Sequence, residues 1–380
     1  GTIHHAREGG WRLTVTVPAD APPELFDLVV SHPSAGTGTS ARAVRVVRGF
    51  EESFYVLQMS DQHVVGTTAT QPGGNTSDNA GSTDAMRWAA PVVNLVNPRF
   101  LAFSGDNETI FWEGEKGPGL DKARVNVQIY QAALASFRVP TIAALGNHDL
   151  GWGTSDTVKG WRLEYESLVG QRCQSFRMGS FYVLNNEWTL NGELPYLAWA
   201  TSDYAAAYAD TSIKYRLLLQ HYYDRGYTPG WTPVPDSKPC QLALGGHTHA
   251  TQKLQTSPFP YLLVGTAQDH QRAAFFDFQK TSTGWTCPQT TTHAEGVNVF
   301  PLVGDWGAAK VGVTYASSNN GTASTNKATI TNALPLGFYD GRVKFLMAKG
   351  DYAVTGGTRL AQYDYNGGAS TVVLVKVNIV

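Results

Sequence analysis

Leu145-Gly146-Asn147-His148-Asp149 is the stretch that decides the fold, because three side chains able to bind metal or move protons follow an apolar segment there. That segment, Val139-Pro140-Thr141-Ile142-Ala143-Ala144-Leu145, has the pattern of a short buried strand. A strand that ends in Asn-His-Asp presents these side chains at the edge of a sheet, where a site can form. Their partners are therefore expected at the ends of other strands.

Polar clusters also follow four other predicted strands, such as Phe54–Met59 and Arg99–Ser104. These clusters are Asp61-Gln62-His63, Gly105-Asp106, His221 and Gly246-His247-Thr248-His249. Strands alternate with helical patterns over Thr83–Asn97 and Asp121–Phe137, which indicates an α/β fold. Since ligands bind beyond the carboxyl ends of the strands in such sheets, the five clusters are expected to converge on one site.

The clusters supply donors typical of a transition-metal centre. The seven candidate metal ligands are Asp61, His63, Asp106, Asn147, His221, His247 and His249. Carboxylate, amide and imidazole donors without thiolate suit Mn, Fe or Zn better than Ca or Mg. Seven side chains exceed the four of one tetrahedral ion, but suit two ions about 3.5–4 Å apart that share a carboxylate, as in displacement at phosphorus. Asp61 and His63 are predicted to point the same way on extended backbone, as are His247 and His249.

The ordered motifs Asp-x-His, Gly-Asp, Gly-Asn-His-Asp, a lone His and Gly-His-Thr-His resemble those of the calcineurin-like metallophosphoesterases, over roughly residues 53–280. The resemblance implies a four-layer αββα sandwich around two metal ions. It implies Asp61, His63 and His249 as ligands of the first metal. It implies Asn147, His221 and His247 as ligands of the second, and Asp106 as the bridge.

The resemblance also implies catalytic roles. His148 matches a histidine that contacts the phosphate and assists the leaving oxygen, and a metal-bridging hydroxide would be the nucleophile. Many members place an acid or Asn three positions after the bridging Asp, where this chain has Thr109. Asp149 or Glu108 is therefore the candidate that orients His148. No Tyr stands at residues 107–110, so the purple acid phosphatase type is not expected.

Flanking segments are β-rich by pattern. Residues 1–50 are predicted to form an N-terminal β segment of immunoglobulin-like type, residues 51–283 the metallophosphoesterase domain, and residues 284–380 an all-β, sandwich-like domain. The β segments are candidates for binding a cell surface or carbohydrate.

Composition narrows the function classes. The net charge is −2 without a Lys/Arg block, so no nucleic-acid surface is indicated. No apolar run approaches the roughly 18 residues of a membrane span. Charged residues make up 16%, below the usual ~25%, and with 39 Gly this profile is typical of secreted or cell-surface proteins. The three cysteines form no CxxC motif, which argues against a thiolate zinc site.

These features predict a secreted or cell-surface hydrolase of small-molecule, lipid or nucleotide phosphoesters. A monoester dianion usually recruits extra cations, and only Arg225 and Arg272 stand near the motifs, which favours a phosphodiester over a monoester. Phosphomonoesterase activity is the alternative within the same class. An envelope- or glycan-binding protein with a degenerate phosphoesterase domain is the alternative of another class.

Overall fold

The computed structural model describes most of the chain. The described residues are 3–5, 15–64, 83–108, 120–150, 156–170, 172–186, 194–222, 233–267 and 271–380. All statements on structure below concern these residues.

Within them the chain forms twenty strands. In chain order these are β1 (Ile3–His5), β2 (Leu25–His32), β3 (Gly36–Arg45), β4 (Phe54–Met59), β5 (Leu101–Ser104), β6 (Thr141–Ala144), β7 (Gln174–Met178), β8 (Phe181–Asn186), β9 (Tyr215–Gln220), β10 (Leu242–Gly245), β11 (Gln252–Gln255), β12 (Tyr261–Leu263), β13 (Arg272–Lys280), β14 (Trp285–Thr286), β15 (Val299–Pro301), β16 (Val311–Tyr315), β17 (Ala328–Asn332), β18 (Phe338–Ala348), β19 (Thr358–Tyr365) and β20 (Ser370–Ile379).

Six α-helices and one 3₁₀ turn complete the elements of the described residues. They are α1 (Thr83–Val96), α2 (Leu120–Leu134), α3 (Asn147–Leu150), α4 (Asp156–Val169), α5 (Leu194–Ala209), α6 (Gln289–Thr292) and the 3₁₀ turn Asp305–Gly307. The predicted helices Thr83–Asn97 and Asp121–Phe137 correspond to α1 and α2, which confirms the α/β alternation.

Two mixed sheets face each other in the centre of the molecule. One has the order β1-β7-β8-β9-β10-β12-β11, and the other β14-β13-β4-β5-β6 with β15 on β13. Neighbours β4, β5 and β6 run parallel, as do β8, β9, β10 and β12. The carboxyl ends of β4, β5 and β6 therefore meet at one edge of their sheet, and those of β9 and β10 at one edge of the other.

Side-chain packing defines four layers. Val56, Ala102 and Leu217 belong to a buried cluster that fills the space between the two sheets. Helices α1 and α2 cover the outer face of the β4–β6 sheet, and α5 covers the outer face of the other sheet. The strands are apolar on both faces because both faces are covered; all six residues of β4 and of β9 are buried. The helix–sheet–sheet–helix arrangement agrees with the mixed α/β core expected from the sequence.

The flanking strands form small sheets of their own. β2 pairs only with β3 in the described chain, while β16–β17 and β18-β20-β19 form two- and three-stranded sheets. Val311, Phe338 and Ile379 of the C-terminal strands join the cluster around α1. The central sheet continues beyond residue 283, because β14 and β15 pair with β13. The separate C-terminal sheets thus begin at Val311, and the division into three domains stays a prediction.

Two further features bear on the sequence-based expectations. Cys173, Cys240 and Cys287 are free and buried. No helix among the described residues is long and apolar enough to cross a membrane.

Candidate metal centre

All seven predicted ligands lie together where the strand ends of the two sheets meet. In one sheet, Asp61 and His63 follow β4, Asp106 follows β5 and Asn147 follows β6. In the other sheet, His221 follows β9, and His247 and His249 follow β10. Hydrogen bonds join the two edges: Gln58 Nε2 donates to the Gly245 carbonyl at 2.7 Å, and His221 Nδ1 lies 2.8 Å from the Ser104 carbonyl oxygen. Side chains from separate sheets are thereby fixed at one site.

Three donors form a first group. Nε2 of His63 lies 3.1 Å from Nε2 of His249, which lies 3.3 Å from Oδ1 of Asp61. The distance from His63 Nε2 to Asp61 Oδ1 is 3.9 Å. Asp61 and His63 are fully buried, while the His249 side chain is 30% exposed and opens the group to solvent.

A second group lies beside the first. His247 Nδ1 lies 3.0 Å from Oδ1 of Asn147 and 3.3 Å from Nε2 of His221. His221 Nε2 in turn lies 3.1 Å from Oδ2 of Asp106. Carboxylate, amide and imidazole donors therefore converge here as well.

Asp106 faces both groups through one oxygen atom. Its Oδ2 lies 3.1 Å from His221 Nε2 and 3.8 Å from His63 Nε2. Its Oδ1 accepts a hydrogen bond from the backbone N–H of His148 at 2.9 Å. In each of three sets of residues, the potential ligand atoms lie within 4.8 Å of one another. The sets are Asp61, His63 and His249; Asp106, His221 and His247; and His63, Asp106 and His148.

The donor separations suit metal ions. Ligands about 2.0–2.1 Å from a tetrahedral zinc stand roughly 3.3 Å apart, and the contacts of 3.0–3.9 Å within the groups bracket that value. Nε2 of His63 and Nε2 of His249 face each other at 3.1 Å, so their lone pairs repel unless a proton or a cation lies between them. The donor set therefore fits borderline cations such as Mn, Fe or Zn.

Burial and neighbouring charges divide the imidazoles into two kinds. Desolvation lowers the pKa of His63 and of His247 to about 4 each, so both rings are neutral at neutral pH. Although burial opposes protonation of His221, the charge and hydrogen bond of Asp106 raise its pKa to about 9. The hydrogen bond to Asp61 raises the pKa of His249. The two carboxylates thus favour the protonated form of both histidines.

Left-handed backbone, rather than extended backbone, directs five of the candidate ligands into the site. φ is 54° at Asp61, 46° at His63, 51° at Asp106, 74° at His247 and 54° at His249. The prediction of extended backbone at both i, i+2 pairs is therefore wrong. Positive φ is uncommon outside glycine and concentrates at functional sites, where surrounding contacts hold it in place. Here such contacts include hydrogen bonds from the His247 N–H to both oxygens of Asp61, at 3.1 Å each.

The stretch after β6 is a single helical turn, α3, and its side chains point to different parts of the site. Asn147 faces the second group, whereas Asp149 is fully buried beneath the loops that follow β5 and β6. Asp149 Oδ1 accepts from the N–H groups of Asn107 and Glu108 at 2.8 and 3.0 Å, and Oδ2 from the N–H of Gly146 at 2.8 Å. The carboxylate thus fixes the backbone on both sides of the site.

His148 is half-buried at the rim of both groups. Its ring centroid lies 4.7 Å from that of His63. Its Nδ1 is buried and has no hydrogen-bond partner among the described residues, so neither Asp149 nor Glu108 orients it by direct contact as predicted. Desolvation lowers the pKa of His148, which keeps the imidazole neutral near neutral pH. Thr109 and Arg225 lie outside the described residues.

Glycines allow the close approach of these loops. A Cβ at Gly146 would overlap Oδ1 of Asp106, and a Cβ at Gly246 would overlap Oγ of Ser60. Gly105 has φ of +102°, and a Cβ there would overlap the His221 ring. The glycines of the Gly-Asp, Gly-Asn-His-Asp and Gly-His motifs are therefore part of the geometry of the centre.

Gly146→Ala tests this close approach. Because the added methyl group displaces the Asp106 carboxylate, we expect metal affinity to fall by about 10- to 100-fold, as when a metal ligand loses its support. Titration of Mn²⁺ or Zn²⁺ measures the change. Gly160→Ala is the matched control, since nothing lies within 4 Å of a Cβ on that helical glycine. Equal affinities in the two variants would contradict the account.

One supporting residue escaped the sequence reasoning. Gln58 is fully buried in β4, and its Nε2 donates to Ser104 Oγ at 2.9 Å as well as to the Gly245 carbonyl. It therefore joins the two sheets directly beneath the ligands. The sequence contains a signal for this role, because Gln58 interrupts the otherwise apolar strand Phe54–Met59 that leads into Asp61.

Comparison with known proteins gives structural neighbours only. No protein-family model matches the chain, and no curated protein matches it. A putative 5′-nucleotidase from Staphylococcus aureus is similar in structure at 13% identity, covering 67% of this chain and 55% of that chain, with a TM-score of 0.41. A calcineurin-like phosphoesterase from Bacillus subtilis is 11% identical, covering 62% and 88%, with a TM-score of 0.36.

A third neighbour is the phosphopantetheinyl hydrolase from Mycobacterium tuberculosis, at 14% identity, covering 63% of this chain and 98% of that chain, with a TM-score of 0.31. Calcineurin-like phosphoesterases are thus among the solved structures that this chain resembles, as its motifs predicted. Similarity at this level does not extend to activity, which depends on the site itself.

Proposed function

We propose that this protein is a metal-dependent hydrolase of phosphoesters. Asp61, His63 and His249 would hold one cation, and Asn147, His221 and His247 a second. Asp106 would ligate both. The observation that carries the proposal is the position of Asp106 Oδ2, which lies within 3.8 Å of an imidazole nitrogen in each group.

The charge of the site supports this assignment. Two acidic side chains, Asp61 and Asp106, are buried at the centre, where desolvation favours their neutral form, yet the neighbouring imidazoles lower the pKa of both. Ionised carboxylates in a buried site require compensating positive charge. When bound, two cations would supply it, lower the pKa of a coordinated water and offset charge on phosphoryl oxygens.

His148 is the proposed catalytic residue. Its backbone N–H donates a hydrogen bond to Asp106, which fixes the position of the residue. Its ring lies at the rim of the site, 4.7 Å from the ring of His63. A neutral imidazole still carries one N–H, which is placed to hydrogen-bond a phosphoryl oxygen and to supply a proton to the departing oxygen. Asp149 acts through the loops rather than on the substrate.

A phosphodiester is the proposed substrate class. Monoester dianions favour sites with cationic side chains. Arg272, one of the two arginines near the motifs, forms an ion pair with Glu295 at 3.3 Å, so a carboxylate already offsets its charge. A diester carries a single negative charge and needs less compensation.

Hydrolysis of paired chromogenic substrates tests the proposal. Protein loaded with Mn²⁺ or Zn²⁺ is expected to cleave bis(p-nitrophenyl) phosphate with higher kcat/KM than p-nitrophenyl phosphate. The reverse preference would indicate a phosphomonoesterase. Hydrolysis of neither compound by protein that holds metal would contradict phosphoesterase activity and favour the binding-protein alternative.

Metal binding is expected to release protons at neutral pH. The pKa of His221 is raised to about 9, so its ring is protonated at neutral pH, and the raised pKa of His249 favours its protonated form, whereas a ligand must be neutral. Metal affinity should therefore increase as pH rises toward 9. Calorimetry of Zn²⁺ binding at pH 7.0 in buffers of different ionisation enthalpy should give about one to two protons released per protein. A heat independent of the buffer would contradict this charge assignment.

A secreted or cell-surface location, and binding of a cell surface or carbohydrate by the flanking strands, are further proposals that rest on composition and pattern. Fractionation of the native source would test the first, and glycan-array binding the second.

A further inference from the structure

A second concave site lies between the N-terminal hairpin β2–β3, helix α1, the segment that follows α2, and the C-terminal sheets. It is a cleft of about 610 Å³. This volume falls within the range of about 300–1,000 Å³ that is usual for small-molecule sites. None of its lining residues belongs to the metal centre.

The cleft is positively charged in a protein whose net charge is −2. Its charged lining side chains are Arg42, Arg45, Arg138, Arg342, Lys344 and a single carboxylate, Glu24. Glu24 is paired with Lys344, at 2.9 Å from Oε1 to Nζ. The four arginines are therefore left facing a cleft without an acidic partner on its lining, although Asp340 contacts one side of Arg342.

Two of these guanidinium groups have buried N–H donors that no described residue accepts. Arg45 Nη2 donates to Asn97 Oδ1 at 2.6 Å, but its Nε has no partner. Arg342 Nη2 donates to Asp340 Oδ1 at 3.1 Å, whereas its Nε and Nη1 are buried and unpartnered. Desolvation and the proximity of Arg342 lower the pKa of Arg45 to about 10, so Arg45 stays charged at neutral pH. Buried, charged donors without acceptors are costly unless something fills the space between them.

The cleft lies at the opposite end of the central strands from the metal centre. Asn97 precedes β5 and Arg138 precedes β6, so both mark the amino-terminal edge of the parallel strands. The candidate ligands follow the carboxyl ends of the same strands. An occupant of the cleft would therefore be separate from a substrate at the metal centre.

We propose that this cleft binds a small polyvalent oxyanion, a molecule carrying phosphate or several carboxylate groups, held by Arg45 and Arg342 with Arg138 at the mouth. Guanidinium groups present paired N–H donors that match the oxygens of phosphate and carboxylate. Because hairpin, helices and C-terminal sheet all contribute, the anion would tie these three parts of the molecule together.

Calorimetric titration of inorganic phosphate into the metal-loaded protein tests the proposal. The wild type is expected to bind one equivalent of phosphate in the cleft. In the double variant Arg45→Gln/Arg342→Gln, the affinity of this binding event should fall by about tenfold or more. Arg138→Glu, an exposed change at the mouth, should weaken the same event by about threefold or more and covers the case in which the double variant fails to fold. Arg359→Gln, an exposed arginine on β19, is the matched control and should leave binding unchanged.

Succinate is titrated in parallel. If succinate competes with phosphate for the binding event that depends on Arg45 and Arg342, the cleft also binds carboxylates. If succinate does not compete, the cleft is specific for phosphate. Phosphate stoichiometry and affinity that neither Arg45→Gln/Arg342→Gln nor Arg138→Glu alters would overturn the proposal. Hydrolysis of bis(p-nitrophenyl) phosphate is measured in each variant, so loss of anion binding with intact hydrolysis separates the cleft from the metal centre.

Discussion

Asp106→Asn is expected to abolish tight binding of both metal ions and to lower phosphodiester hydrolysis by about 10³-fold or more. The substitution keeps the shape of the side chain but removes the negative charge that faces both imidazole groups. Asp106 Oδ2 lies 3.1 Å from His221 Nε2 and 3.8 Å from His63 Nε2, so the substitution would affect both proposed cation sites. Elemental analysis after dialysis gives the ions per chain, and steady-state kinetics gives the rate.

Asp210→Asn is the control for the loss of a carboxylate as such. Asp210 lies at the end of α5 and forms an ion pair with Arg177 at 2.9 Å, away from the metal centre. This variant should keep both ions and the wild-type rate. Two ions per chain in Asp106→Asn would show that Asp106 is not shared between the groups.

His148→Ala is expected to keep both metal ions and lose most turnover, by about 10²–10⁴-fold in kcat. The reason is position: the His148 ring stands at the rim, 4.7 Å from the His63 ring, and its Nδ1 makes no hydrogen bond with a described residue. Metal content and kcat measured on the same preparation separate a catalytic group from a ligand.

The matched control is His32→Ala, because His32 is an exposed histidine on the N-terminal hairpin. It should behave as the wild type. Full activity in His148→Ala would remove its catalytic role. Loss of metal would instead make His148 a ligand together with His63 and Asp106, whose donor atoms lie within 4.8 Å of its own.

Much of the centre could be predicted from the sequence because each polar cluster directly follows an apolar strand. β4 and β5 are fully buried, so a sudden change to Asp and His at their ends marks the point where the chain leaves the sheet. Parallel order then brings these ends to one edge. Local patterns thus sufficed to place residues as distant in sequence as Asp61 and His249 together.

The remainder depends on tertiary contacts that no local pattern encodes. Positive φ at Asp61 and His63 is stabilised by hydrogen bonds that their N–H groups donate to another loop: Asp61 N–H to the Gly105 carbonyl and His63 N–H to the Asp106 carbonyl, at 2.9 Å each. Asp149 looked like a partner for its neighbour His148, but four-residue helical geometry turns it inward to the N–H groups of Asn107 and Gly146. The pairing of β15 with β13, which extends the central sheet past residue 283, is likewise a long-range event.

Anomalous diffraction from a crystal soaked with Mn²⁺ and phosphate is the most direct test of the central claim. The account predicts two anomalous peaks, one among Asp61, His63 and His249 and the other among Asn147, His221 and His247, with Asp106 in contact with both and phosphate within reach of His148. A single peak, or peaks that lack Asp106 as a shared ligand, would contradict it.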